Sequence, residues 1–201
     1  MSNQEWISLI TPATPQGSGA GAALSTATTA TLSPVTGNAA DVAQVNYEGA
    51  FQGWEAGLQI RVKARGFLTV TATSTTLTLL LAARVGNTGS TYVTLATTPA
   101  LTTGTTALTG IQWRFEGLIR CTAIAISGNT VSTQGEFIFQ NNVTVPAIGT
   151  ANAIILPMPS VSGETAAAVD TTQVQGLSLR GTLAGANATM QLTQWLVEAL
   201  N

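Results

Sequence analysis

Histidine is absent from this chain. Its absence removes the usual general base near neutral pH, the commonest metal ligand and any Ser-His-Asp arrangement, so hydrolysis by a triad is excluded. There is one cysteine, Cys121, which rules out an internal disulfide framework and a multi-cysteine zinc site and points to folding in a reducing cytosol. Charge is also scarce: 8% of the 201 residues are charged, against about 25% in an average soluble protein. The seven basic residues are scattered singly on a chain of formal net charge −2. They cannot neutralise a row of phosphates or hold an anionic bilayer, so neither nucleic acid nor membrane is an expected partner. The longest apolar run, Leu77 to Ala83 with Thr78 inside it, is far short of the roughly 18 residues a membrane span needs. Met1 to Ile10 carries Glu5 and no basic cluster, and so does not read as a secretory signal.

What the chain does have is threonine, alanine, glycine and serine around a hydrophobic content of 45%. The leucines, isoleucines and valines fall in patterned segments, which a disordered chain lacks. Threonine favours strands because its branched Cβ fits a pleated surface. Leu58, Ile60, Val62 and Ala64 alternate with Gln59, Arg61, Lys63 and Arg65, a period of two that defines a strand with a cationic face turned to solvent or to a partner. Gly66 predicts a bulge or bend before Leu68 and Val70 continue. A second strand carries Leu77, Leu79, Leu81 and Ala83 inward. The turn residues between Val85 and Thr91 predict a hairpin to Tyr92–Leu95.

Ile111, Trp113 and Phe115 alternate through Gly117 to Ile119, Cys121, Ala123 and Ala125. Ser127-Gly128-Asn129 then turns the chain toward Val131, Phe137 and Phe139, again as a hairpin. Residues 174–183 and 188–200 read as a closing hairpin; the second also shows helical spacing at Leu192, Leu196 and Leu200, but its threonine-rich start favours strand. Eight to ten strands with no convincing long helix define an all-β fold, a two-sheet antiparallel sandwich that is jelly-roll-like. Residues 31–201 form that domain. Residues 1–30, with Pro12, Pro15 and a small-residue run, read as a flexible, extended N-terminal arm anchored on a partner by Trp6, Ile7, Leu9 and Ile10.

No catalytic constellation stands out, and no cofactor or metal is expected. Glu48, Glu55, Glu116, Glu136 and Asp170 are the carboxylates a glycoside hydrolase would need, and the plainer reading is isolated solvated side chains. Glu164 and Asp170 share a loop, but no Asp-x-Asp cluster supplies the oxygens calcium wants. Trp113 reads as core, Cys121 as a small buried hydrophobe, and Trp54, within Gly53-Trp54-Glu55-Ala56-Gly57, as the exposed aromatic able to stack on a ligand. The interaction face is thus expected at Trp54, Arg61, Lys63 and Arg65.

Several segments resemble virion structural proteins when read together: Trp113-Arg114-Phe115-Glu116-Gly117-Leu118-Ile119-Arg120-Cys121, Gly128-Asn129-Thr130 with Gln134-Gly135-Glu136-Phe137, Val169-Asp170-Thr171-Thr172, and the closing Glu198-Ala199-Leu200-Asn201. They look like the jelly-roll-like proteins of tailed bacteriophages that decorate or cement capsids or occur in tails. The resemblance implies a non-enzymatic homo-oligomer, commonly a trimer, that is assembled in the host cytoplasm and carried on the virion. Its partners would be itself and the major capsid protein or other virion proteins. A tail, collar or baseplate component with a receptor- or glycan-binding face is the alternative, and a carbohydrate-active enzyme or lectin on a sandwich scaffold is a third reading.

Overall fold

A computed structural model describes residues 54–85, 92–140, 153–160, 165–172, 175–184 and 187–200, together with the short strands Ile7–Ile10, Thr29–Thr31 and Ala43–Gln44. All regular structure among them is β. In chain order the strands are β1 (Ile7–Ile10), β2 (Thr29–Thr31), β3 (Ala43–Gln44), β4 (Gln59–Val70), β5 (Thr76–Val85), β6 (Tyr92–Thr97), β7 (Leu101–Thr102), β8 (Leu108–Cys121), β9 (Val131–Gln140), β10 (Ala153–Met158), β11 (Thr165–Ala167), β12 (Gln175–Leu183) and β13 (Ala188–Leu200). One sheet runs β1-β13-β4-β8-β9-β10, with β11 also on β9. The other runs β2-β12-β5-β6, with β3 on β12 and β7 on β5. Every pairing is antiparallel. The protein is a two-sheet β-sandwich, jelly-roll-like as expected.

The core lies between the sheets and follows from the period of two. Ile60, Val62, Ala64, Leu68 and Val70 point inward from β4 and meet Leu77, Leu79, Leu81 and Ala83 from β5 and Leu177, Leu179 and Leu183 from β12. Trp113, Phe115, Phe137 and Phe139 form an aromatic ladder at its centre, with ring centroids 5.0 Å apart for Trp113–Phe137 and Phe137–Phe139 and 5.9 Å for Phe115–Phe137. Threonine serves at strand ends as well as along strands. The buried hydroxyls of Thr98 and Thr103 accept the backbone N–H groups of Leu79 and Thr75 at 3.1 and 3.0 Å, satisfying donors that the sheet leaves over.

Three expectations are corrected. Gly66 introduces no change of phase: Ile60, Val62, Ala64, Gly66, Leu68 and Val70 all face inward along one continuous strand. The bulge sits opposite, in β13, where Thr193 is the extra residue between Leu192, paired with Gly66, and Gln194, paired with Arg65. Gly66 is required because a Cβ there would strike the Gln191 carbonyl oxygen and the Trp113 ring. Second, β12 and β13 are not a hairpin, since β12 belongs to the smaller sheet and β13 to the larger. Two long apolar-faced strands in succession can each complete a different sheet when the turn between them rounds the edge of the sandwich. Third, Ala123 and Ala125 lie beyond the end of β8, in the loop to β9.

The N-terminal region contributes two short strands to these sheets. Within the stretch read as an arm, Ile7–Ile10 pairs with β13 and Thr29–Thr31 with β12, giving those strands a neighbour for backbone groups that would otherwise stand open. Trp6 and the other residues of 1–28 apart from Ile7–Ile10 lie outside the described residues.

Candidate functional site

The outward residues of the larger sheet carry half of the chain's sixteen charged residues. On β4 these are Arg61, Lys63 and Arg65, and on β8 Arg114, Glu116 and Arg120. Glu136 projects from β9 and Glu198 from β13. Five of the seven basic residues therefore share one face. The smaller sheet's outward side presents mainly threonine, serine and small residues, with Arg180 stacked over the Tyr92 ring, its guanidinium carbon 4.0 Å from the ring centroid.

Register sets the charges in rows across the strands. One row holds Gln194, Arg65, Arg114, Ile138 and Ile155; the next holds Leu196, Lys63, Glu116, Glu136 and Pro157; the third holds Glu198, Arg61, Leu118 and Gln134. Arg61 forms an ion pair with Glu198, its cross-strand partner. Arg65 therefore stands directly opposite Arg114, and Glu116 opposite Glu136, two like-charge pairs of a kind that destabilises a sheet. All four side chains are exposed. Two grooves of about 500 and 610 Å³ cover the face and meet at Glu116 and Glu136. The first is lined by Lys63, Arg65, Arg114, Gln112, Gln140 and Gln194, among others.

Of the residues expected to form an interaction face, Lys63 and Arg65 line the groove and Arg61 belongs to the neighbouring row. Trp54 does not join them. It is 4% exposed and packs in the core. The turn after it explains this: the Leu58 N–H donates to the Glu55 carbonyl at 2.9 Å, while Gly57 and Cys121 close the end of β8 through N–H bonds of 2.8 Å to Cys121 and Leu58 carbonyls, folding the Trp54 ring inward. Arg114, Glu116, Glu136 and the three glutamines were not singled out together as a binding group. The alternation in residues 111–121 does turn Arg114 and Glu116 outward, but only the β4–β8–β9 register makes them neighbours of Arg65 and Glu136.

Glu55 is exposed on the turn beside Trp54, and Glu48 and Glu164 lie outside the described residues. Asp170 accepts the Thr172 N–H at 3.0 Å and the Thr172 hydroxyl at 2.5 Å, shaping its own turn. Cys121 is fully buried, and desolvation pushes its thiol above the usual range. Among the described residues no three His, Cys, Asp or Glu side chains stand close enough to hold a metal ion.

Fold and site together define an antiparallel β-sandwich carrying a polar, charge-patterned groove on the outer face of its larger sheet. No family model matches the chain, and no curated protein matches its sequence. Among solved structures, lectin I from Ulex europaeus, crystallised with the methyl glycoside of alpha-L-fucose, aligns over 97% of this chain and 98% of its own at 11% identity and a TM-score of 0.39. A likeness of that size carries no argument about ligands.

Proposed function

We propose that this chain is a non-catalytic structural subunit of a tailed-phage virion, specifically a capsid decoration or cement protein. In this reading it works as a homotrimer, clamps neighbouring capsid subunits, and is assembled in the host cytoplasm and carried on the particle. The observation that supports an assembly role most directly is the β8–β9 loop. Ile124 is 47% exposed and Ile126 74% exposed there. The loop that carries them is pinned. The Thr171 hydroxyl accepts the Ala125 N–H at 2.9 Å and lies 3.0 Å from the Ala123 carbonyl, and the Thr130 hydroxyl bridges Val169, donating to its carbonyl at 2.6 Å and accepting its N–H at 2.9 Å. Apolar side chains presented on a prearranged loop lose little conformational entropy when another subunit covers them.

The sparse charge and single buried cysteine fit a protein that must persist on a particle outside a cell. A histidine-free chain whose Glu116 and Glu136 stand exposed on an open face fits a role without turnover. The charged groove favours a second reading, a tail or baseplate component with a receptor-binding face.

Immunogold labelling of intact phage particles with antibody to this chain decides between them. Label spread over the head supports decoration, label confined to the tail moves the reading to adhesion, and unlabelled particles refute both.

A further inference from the structure

We propose that the groove on the larger sheet binds a glycan through one acidic sugar, whose carboxylate is taken by Arg65 and Arg114. The proposal does not depend on where the chain assembles.

Arg65 and Arg114 are cross-strand partners, so their Cβ atoms stand about 5 Å apart. Among the described residues neither has a carboxylate within ion-pair distance. Two exposed guanidinium groups held side by side without a counter-charge cost the sheet stability, and an anion placed between them reverses that cost. Each guanidinium offers a planar fork of donors that matches a carboxylate.

The residues around the pair limit what the anion can be. Glu116 and Glu136 lie one row further along, two residues or about 7 Å from the arginines. With only Lys63 beside them to offset it, they repel a second negative charge, which disfavours nucleic acid and polysulfated chains. They also accept hydrogen bonds, as hydroxyl groups require. Gln112, Gln140 and Gln194 line the same groove, and each amide can both donate and accept. Ile138 continues the arginine row at the floor of the groove, and its cross-strand partner Ile155, 61% exposed, offers an apolar surface to the C–H groups of a sugar ring. One negative charge, many hydroxyls and a partly apolar face are the chemistry of a hexuronate or a sialic acid within an oligosaccharide. An acidic peptide shares only the charge.

The full chain is titrated with glucuronate-terminated and N-acetylneuraminate-terminated oligosaccharides, their neutral galactose-terminated counterparts, heparin and a glutamate-rich peptide. The expected result is binding of at least one acidic oligosaccharide at least tenfold tighter than its neutral counterpart, with the two acidic probes separating uronate from sialate. Arg65→Ala and Arg114→Ala should each weaken it at least tenfold without moving the urea midpoint. Glu116→Gln combined with Glu136→Gln should raise affinity for heparin. No preference for an acidic oligosaccharide, equal or tighter binding of the peptide, or full affinity in both arginine variants overturns the proposal.

Discussion

Replacing Gly66 by alanine tests the packing beneath the groove. The added Cβ would meet the Gln191 carbonyl oxygen on β13 and lie 2.6 and 2.8 Å from Cζ2 and Cε2 of Trp113. Carbon atoms in contact prefer about 3.5 to 4.0 Å, so the indole must retreat by about 1 Å. It cannot do so freely, because Phe137 packs against it with centroids 5.0 Å apart. The β13 backbone must also yield beside the Thr193 bulge, whose hydroxyl donates to the Arg65 carbonyl at 3.0 Å. Overpacking of a filled core alone costs about 1 to 3 kcal/mol, and the backbone shift puts the expected loss at the top of that range, about 3 kcal/mol. For a domain of this size that is about 6 to 12 °C in melting temperature. Urea unfolding followed by far-ultraviolet circular dichroism measures it. In a Trp113→Leu background the same substitution should cost about 1 to 2 kcal/mol less, since the ring clash is gone while the carbonyl clash stays. A loss under about 1 kcal/mol, or strict additivity of the two changes, would refute an indole packed on the Gly66 backbone.

Trp113→Ala, at a side chain 2% exposed, should cost about 3 to 5 kcal/mol, and a loss below about 1 kcal/mol would place the ring outside the core. Thr171→Val strips the Ala125 N–H of its acceptor and should cost about 1 to 3 kcal/mol, with faster amide exchange confined to residues 122–130; unchanged exchange there would mean the loop is held some other way. Burial raises the Cys121 thiol pKa, so the folded chain holds this proton more tightly than the unfolded one. That contribution is whole below the ordinary thiol pKa of about 8.5 and is lost as pH climbs through the raised folded value. A thiol reagent at pH 8 should therefore label Cys121 only in urea, and rapid labelling of the folded chain would contradict its burial.

The sequence by itself determined what is local. Side chains in a strand alternate faces over a period of two whatever the strand's partners, so Ile60 to Ala64 and Leu77 to Ala83 could be turned inward and Lys63 and Arg65 outward from the chain alone. Turn chemistry likewise located the β5–β6 and β8–β9 hairpins. Tertiary structure decided everything that depends on which strands meet. The bulge at Thr193 moves the buried series of β13 from Ala188, Met190 and Leu192 to Val197 and Ala199. That break leaves Leu192 in the core and turns Leu196 and Leu200, which share its helical spacing, to the outer face, and it answers to Gly66 and Trp113, far away in sequence. Trp54 looks exposed between its glycines and is drawn inward by a turn that bonds to the end of β8. Arg65 and Arg114 are 49 positions apart and become neighbours only through the β4–β8 register. A binding face is built across strands, and cross-strand adjacency follows from long-range pairing, which periodicity along one strand does not encode.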